Sequence, residues 1–241
     1  MAILTVIWEK WIEFKHEWIK ITISSLITPL LYLITFGNFI TTGDRPYLQF
    51  LIPGIIALTT MNSSFNAVGM SLNVQRLYEH SFDSIMASPT PLWQYIIGQM
   101  IGGSLRGMYA GTLILIISLL FSVQLCFSIW FFGIMLLNGM LFGALGVMAA
   151  IVSSTHADIA RFSTFVILPM TFLCNTFFSV EQIPKAMQWI IEVLPLTHTS
   201  RLLRQLAWGE YISWISILIL ISYTVLFMLI ALLKIQKAKN L

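Results

Sequence analysis

FSIWFFGIMLLNGMLFGALGVMAAIV, residues 127–152, runs without an ionisable side chain and without a proline. A stretch this long and this apolar crosses about 30 Å of hydrocarbon as a helix, whereas a soluble helix would carry a polar face. It has company. Working outward, further runs cover 21–40, 50–71, 95–121, 162–178 and 214–233. In lipid the α-helix is the one open-ended structure that satisfies its own backbone, so these runs predict six crossings.

Composition agrees. Of 241 residues, 58% are apolar and 10% charged, less than half the charge of an ordinary soluble domain. Such a chain cannot cover a water-facing surface, and disorder is excluded by the same excess. The net charge of +3 calls for no nucleic acid. Cys126 and Cys174 have neither metal-site spacing nor the density of a disulfide scaffold and read as packing residues. The first eighteen residues mix Glu9, Lys10, Glu13, Lys15, His16 and Glu17 among apolar side chains, unlike a signal peptide, so the mature chain is expected to begin here.

Six crossings put both termini on one side. Lys10, Lys15, Lys20, Arg76, Arg161, Lys234, Lys237 and Lys239 share that side, against Arg45, Lys185, Arg201 and Arg204 on the other. The positive-inside rule then predicts cytoplasmic termini in a cell (inner or plasma) membrane. All ten carboxylates fall outside the runs, which argues against a proton- or sodium-driven carrier and against an intramembrane hydrolase.

Between the second and third runs lies RLYEHSFDSIMASPTPLWQYIIG, 76–98. As a helix over 76–87 it sets Tyr78, Phe82, Ile85 and Met86 on one face and Arg76, Glu79, His80 and Asp83 on another, with Pro89 and Pro91 ending it. Periodicity alone favours a plain surface helix stabilised by its own charged pairs. Between Pro184 and Pro195, KAMQWIIEVL is about half a span and carries Lys185 and Glu192, so it is expected to dip into the membrane or lie on it.

The 76–98 loop resembles the cytoplasmic loop of ABC-2 type permeases in Glu79, the apolar Phe82, Ile85 and Met86, Ser88-Pro89 and Gly98. FLCNTFFSVEQIPKAMQWIIEVLPLTHTSRLLRQLAWG, from Phe172, is similar to that family's fifth span and the hairpin after it. The matching features are Phe177-Phe178, Ile183-Pro184, Trp189, Pro195-Leu196-Thr197-His198, Arg204 and Gly209. Cys174 and Asn175 depart from the Ser or Gly often found there. The resemblance implies one all-α transmembrane domain over 1–241. Its parts would be six transmembrane helices, an interfacial amphipathic helix at 1–20, a cytoplasmic coupling helix at 76–89 and an outer re-entrant hairpin at 181–209. It also implies the membrane subunit of an ATP-driven exporter for a drug, glycolipid or polysaccharide. A second permease subunit, identical or paralogous, would join it, with two ATPase subunits and the surrounding membrane lipids as further partners. No GxxxxGK[ST] loop is present, so this chain is expected to be no enzyme and to bind no cofactor, with ATP and Mg on the partner ATPase. The resemblance puts ATPase coupling on Glu79, Ser88 and Pro89, and the charged face read from helical spacing adds Arg76, His80 and Asp83. The family's outer hairpin falls on Pro184, Pro195, Thr197, His198 and Arg204, and could gate or only seal.

Several residues keep two readings. In the N-terminal helix Trp8, Trp11, Phe14 and Trp18 can sit at the headgroups while Glu9, Lys10, Glu13 and Glu17 face water, as an anchor, an ATPase contact or both. Arg106, inside the third run, lines a pathway for an anionic cargo group, snorkels to the cytoplasmic interface from a span that begins late, or bonds backbone carbonyls within the bundle. Asn62, Asn66 and Asn138 make interhelical bonds or wall a polar cavity. Gly98, Gly102, Gly103, Gly107, Gly111, Gly139 and Gly143 read as intrachain packing positions. Thr197 is expected to cap the second hairpin helix, with Arg201 and Arg204 meeting phosphate headgroups or the end of the first. His198 reads as a hydrogen-bonder and not as a metal ligand. The competing class is an intramembrane enzyme or a membrane scaffold.

Overall fold

The computed structural model describes residues 2–37, 47–88, 90–121, 126–174, 176–177 and 184–239. Among them all regular structure is helical. α1 (Ala2–Gly37), α2 (Tyr47–Leu77), α4 (Leu92–Ser118), α5 (Ile129–Val152) and α10 (Trp214–Lys239) are long, and α3 (Ser81–Ala87) is a short helix between α2 and α4. The five long helices each contain a stretch apolar and long enough to cross a membrane.

The fifth expected crossing is broken into pieces. α6 (His156–Phe162), a π turn (Ser163–Ile167) and α7 (Leu168–Leu173) follow one another along about 27 Å at the helical rise. Pro169 explains the break, because it offers no N–H to the preceding turn and its ring crowds the carbonyl there, a strain that a wider turn relieves. The helix begins earlier than 162. Thr155 and Asp158 form a capping box, the Thr155 Oγ1 accepting from the Asp158 N–H at 3.2 Å and the Asp158 carboxylate from the Thr155 N–H at 2.9 Å. After residue 183, α8 (Lys185–Val193) and α9 (Pro195–Ala207) form a hairpin. Gly209, at φ +69°, supplies the left-handed residue that ends α9.

α2 and α5 are central, each with 72% of its apolar stretch buried, while α1 and α10 are peripheral at 17% and 22%. Small residues let the backbones meet. A Cβ at Gly139 of α5 would lie 2.7 Å from the Ser104 Cα of α4, and one at Gly146 3.0 Å from the Gly69 nitrogen of α2. Lipid is as apolar as leucine, so this close approach, and not exclusion of water, holds the bundle.

Chain contacts define two ends. One carries α3, the start of α1 and the His156···Asn73 contact at 3.0 Å; the other carries the α8–α9 hairpin, joined to α10 through His198 and Ser216 at 3.3 Å. These are the α3 end and the hairpin end.

The N-terminal helix and the first span are not two elements. α1 continues through residue 20 for 36 residues, about 54 Å at the helical rise, well beyond the hydrocarbon thickness.

Candidate functional site

A polar cavity of about 460 Å³ lies between α1, α2 and the α6–α7 helix. α1 brings Ser24, Ser25, Thr28 and Tyr32, α2 brings Thr59, Asn62, Ser63 and Asn66, and the interrupted helix brings Ser163, Thr164 and Thr171. The hydroxyls of α1 recur at helical spacing, so they share a face with Tyr32. The π turn sets Ser163 and Thr164 toward the same space. Of the four residues the sequence offers as pathway lining, Asn62, Asn66 and Arg106 meet here. Asn138 does not: buried on α5, it donates to the Ala57 carbonyl at 3.0 Å and accepts from Thr199 Oγ1 at 2.9 Å, tying three helices together. The hydroxyls of α1 and of the interrupted helix were missed, although Ser25, Thr28 and Tyr32 stand at i, i+3 and i+7.

Arg106 forms the floor. It also lines a second, apolar crevice of about 970 Å³ between the start of α1 and α4, walled by Trp8, Trp11, Phe14, Leu105 and Tyr109. Its guanidinium stands 3.7 Å from Glu13 Oε1. Glu13 Oε2 accepts from Lys10 Nζ at 2.8 Å and from Ser71 at 3.3 Å, and Lys10 donates to Ser71 Oγ at 2.6 Å. Nearby, Gln75 donates to Glu9 at 2.6 Å. The charged face of the N-terminal helix therefore turns partly inward. Lys10 is buried and Glu9 and Glu13 half-buried, whereas Trp8 is 63% and Trp11 54% exposed; Glu17 alone keeps the expected outward position, near Lys20 at 3.3 Å. In a bilayer the aromatic face loses nothing by looking outward, while a charge gains by finding a partner.

Toward the hairpin end Tyr32, which lines the cavity, joins an aromatic cluster. The Phe177 ring meets Tyr32 edge-on at 4.9 Å and lies 5.3 Å from Phe36 and 5.8 Å from Phe172, and its carbonyl accepts from the Tyr47 hydroxyl at 2.7 Å. Arg204 is buried beside it, donating through Nε to the Phe50 carbonyl at 2.9 Å and through Nη2 to the Thr176 carbonyl at 3.2 Å, with its guanidinium carbon 3.6 Å from the Phe50 ring centre. These two carbonyls belong to α2 and to the stretch before the hairpin, whereas the sequence pointed to headgroups or the first hairpin helix. Arg201 does reach that helix, pairing with Glu192.

Inside the hairpin, Pro184 and Pro195 stand where α8 and α9 begin. Thr197 does not cap α9, whose first residue is Pro195; its hydroxyl donates back to the Ile191 carbonyl of α8 at 2.7 Å. His198 Nε2 donates to the Glu192 carbonyl at 2.8 Å, since a carbonyl only accepts, and Nδ1 faces Ser216. Glu181 lies outside the described residues, as do Asn175, Phe178 and Ile183.

At the α3 end the expected 76–87 helix divides. Arg76 closes α2, and its Nη1 donates to the carbonyls of Ala150, Ile151 and Ser153 at the end of α5, so it caps a span instead of facing outward. His80, at φ 55°, turns the chain into α3. Phe82 is buried against Tyr95, 6.2 Å between ring centres, and Ile85 and Met86 pack on the same core. Tyr78 leaves that face and is exposed. Glu79, His80 and Asp83 point outward, His80 Nδ1 lying 3.3 Å from Asp83 Oδ2. Ser88 Oγ donates to the Ile85 carbonyl at 2.8 Å; Pro89 lies outside the described residues.

The ABC-2 type transporter family model matches residues 1–208. The chain is 30% identical over 203 residues to the inner membrane transport permease YadH of Escherichia coli K12, covering 81% of this chain and 78% of that one. It is 27% identical over 230 residues to the daunorubicin resistance ABC transporter permease protein DrrB1 of Streptomyces coeruleorubidus, covering 88% and 77%. With nodulation protein J of Neorhizobium galegae it shares 27% over 209 residues, covering 80% and 78%. A helical bundle with a polar, sideways-open cavity, matched along most of its length by these permeases, belongs to the ABC-2 type transporter family and is a membrane subunit of an ABC transporter.

Proposed function

We propose that the chain is one half of the translocation pathway of an exporter for an amphipathic or lipid-linked cargo, moved by ATP hydrolysis on separate nucleotide-binding subunits. One observation carries this reading. Ser24, Thr28, Asn66 and Thr164 are exposed on the side of the bundle, around the polar cavity. Against hydrocarbon such groups are costly, so water and a second membrane subunit, a copy or a paralogue, cover them. The interrupted α6–α7 helix is the sixth crossing. The α3 end lies in the cytoplasm, which the Lys and Arg distribution supports, and the exposed Glu79, His80 and Asp83 receive the ATPase while the apolar face of α3 rests on the bundle. The outer gate is the Tyr32, Phe36 and Phe177 cluster backed by the hairpin.

ATP binding would act by population shift, the closed ATPase pair binding one arrangement of the two α3 helices better than the other. The drug named for DrrB1 and the nodulation role named for protein J are the kinds of cargo chemistry this reading admits.

Two measurements test it. An ATPase subunit should co-purify with the wild-type chain and be lost from Glu79→Lys, and a cysteine at His80 should react only from the cytoplasmic side. Labelling of that cysteine from outside intact cells, or a pure chain with no ATPase partner, overturns the proposal.

A further inference from the structure

We infer that Arg106 is the receptor for an anionic head group on the cargo, with Glu13 as its stand-in when the site is empty of cargo; the inference rests on the export reading above. Arg106 is the residue common to the two cavities, with the polar space toward the hairpin end and the apolar crevice toward the α3 end. An amphiphile lying across it would place its tail against Trp8, Trp11, Leu105 and Tyr109 and its head among the hydroxyls and amides above. The tail side opens sideways, as the exposure of Leu4, Trp8 and Leu105 shows.

Charge decides what head group fits. The carboxylates near Arg106 on α1 have closer partners: Glu13 has Lys10 at 2.8 Å, Glu17 has Lys20 at 3.3 Å and Glu9 has Gln75 at 2.6 Å. Arg106 is left with Glu13 Oε1 at 3.7 Å, outside hydrogen-bond reach, and its Nε has no hydrogen-bond partner among the described residues. A guanidinium held this loosely and only 23% exposed gains from a phosphate or carboxylate that can take two of its N–H groups at once. Glu13 yields at small cost because Lys10 and Ser71 keep its other oxygen bonded.

The test uses the permease with its ATPase subunits in nanodiscs, probed with short-chain phosphatidylglycerol and with diacylglycerol of the same chains, which lacks the phosphate. Binding is read by native mass spectrometry and ATP hydrolysis in parallel. The wild type is expected to retain phosphatidylglycerol on the order of tenfold better than diacylglycerol, the worth of one charge-assisted hydrogen-bonded contact. Arg106→Gln should erase the preference, Arg106→Lys restore part of it, and Glu13→Gln increase it, with diacylglycerol retention, which needs only the apolar crevice, as the check on folding. A preference that survives Arg106→Gln, or none in the wild type, overturns the inference. So does phosphatidylglycerol bound through Arg106 without any change in ATP hydrolysis, since the occupant would then be a resident lipid. A failure of the export reading would look different: no complex and no ATP hydrolysis under any lipid.

Discussion

Arg76, the penultimate residue of α2, donates through Nη1 to the carbonyl of Ala150 at 2.8 Å, and the same nitrogen reaches Ile151 at 2.8 Å and Ser153 at 3.0 Å. One cation thus serves two of the carbonyls at the end of α5 and the Ser153 carbonyl just past it. Arg76→Ala is expected to cost about 1.5–3 kcal/mol, the worth of hydrogen bonds to a charged group. Thermal unfolding in detergent should show a midpoint lowered by several degrees, with Arg76→Lys between the two. An unchanged midpoint with impaired ATPase binding would return Arg76 to the docking surface.

Two glycines of α5 should respond with opposite signs. A Cβ at Gly139 would crowd the Ser104 backbone, whereas one at Gly133 meets nothing within 4 Å. Gly139→Ala is expected to destabilise by about 1–3 kcal/mol through overpacking. Gly133→Ala should gain about 0.5–1 kcal/mol, because alanine loses less freedom in a helix. Melting of the pair side by side checks this, and equal effects would contradict the close α4–α5 approach.

His80 carries the left-handed turn between α2 and α3, at a cost of about 1 kcal/mol for a side chain. Its contact with Asp83 is exposed and worth little. His80→Gly should therefore slow hydrogen exchange in α3, and His80→Val should speed it.

Phe177 packs with Phe36, Phe172 and Tyr32, the last a wall of the polar cavity. Phe177→Ala should let a membrane-impermeant thiol reagent reach a cysteine placed at Asn62 from the hairpin side severalfold faster. Phe177→Leu, which keeps an apolar plug, should not. Equal reaction rates in all three proteins would show that the closure lies elsewhere.

The long apolar runs and the prolines at 184 and 195 made most helices legible, because crossing length and missing N–H groups act locally. The packed face of α3 was legible from Phe82, Ile85 and Met86 at helical spacing. The orientation of the N-terminal helix was not. Periodicity separates Trp8 and Trp11 from Glu9 and Glu13 but does not say which face meets protein when the other solvent is lipid. The π turn was hidden for another reason: Pro169 signals trouble in a helix, yet a kink, an end and a widened turn all answer it. Asn138 was legible as a polar group in a span, and only the fold decides that its partners are Ala57 and Thr199. Thr155 and Asp158 stand in the T-x-x-D spacing that marks a helix start, a sign that would have moved the fifth run's beginning.

α1 runs as one helix from Glu13 past Tyr32, and between those two residues Pro29 is the one place where the backbone lacks an N–H. A tilt applied near Lys10 is carried as by a lever up to Pro29, and the last turn before Tyr32 bends there most easily. The two ends of α1 are therefore coupled through a rod with a single weak joint. Pro29→Ala would stiffen it, while two glycines at Lys20 and Ile21 would add a second joint and let the ends move out of step.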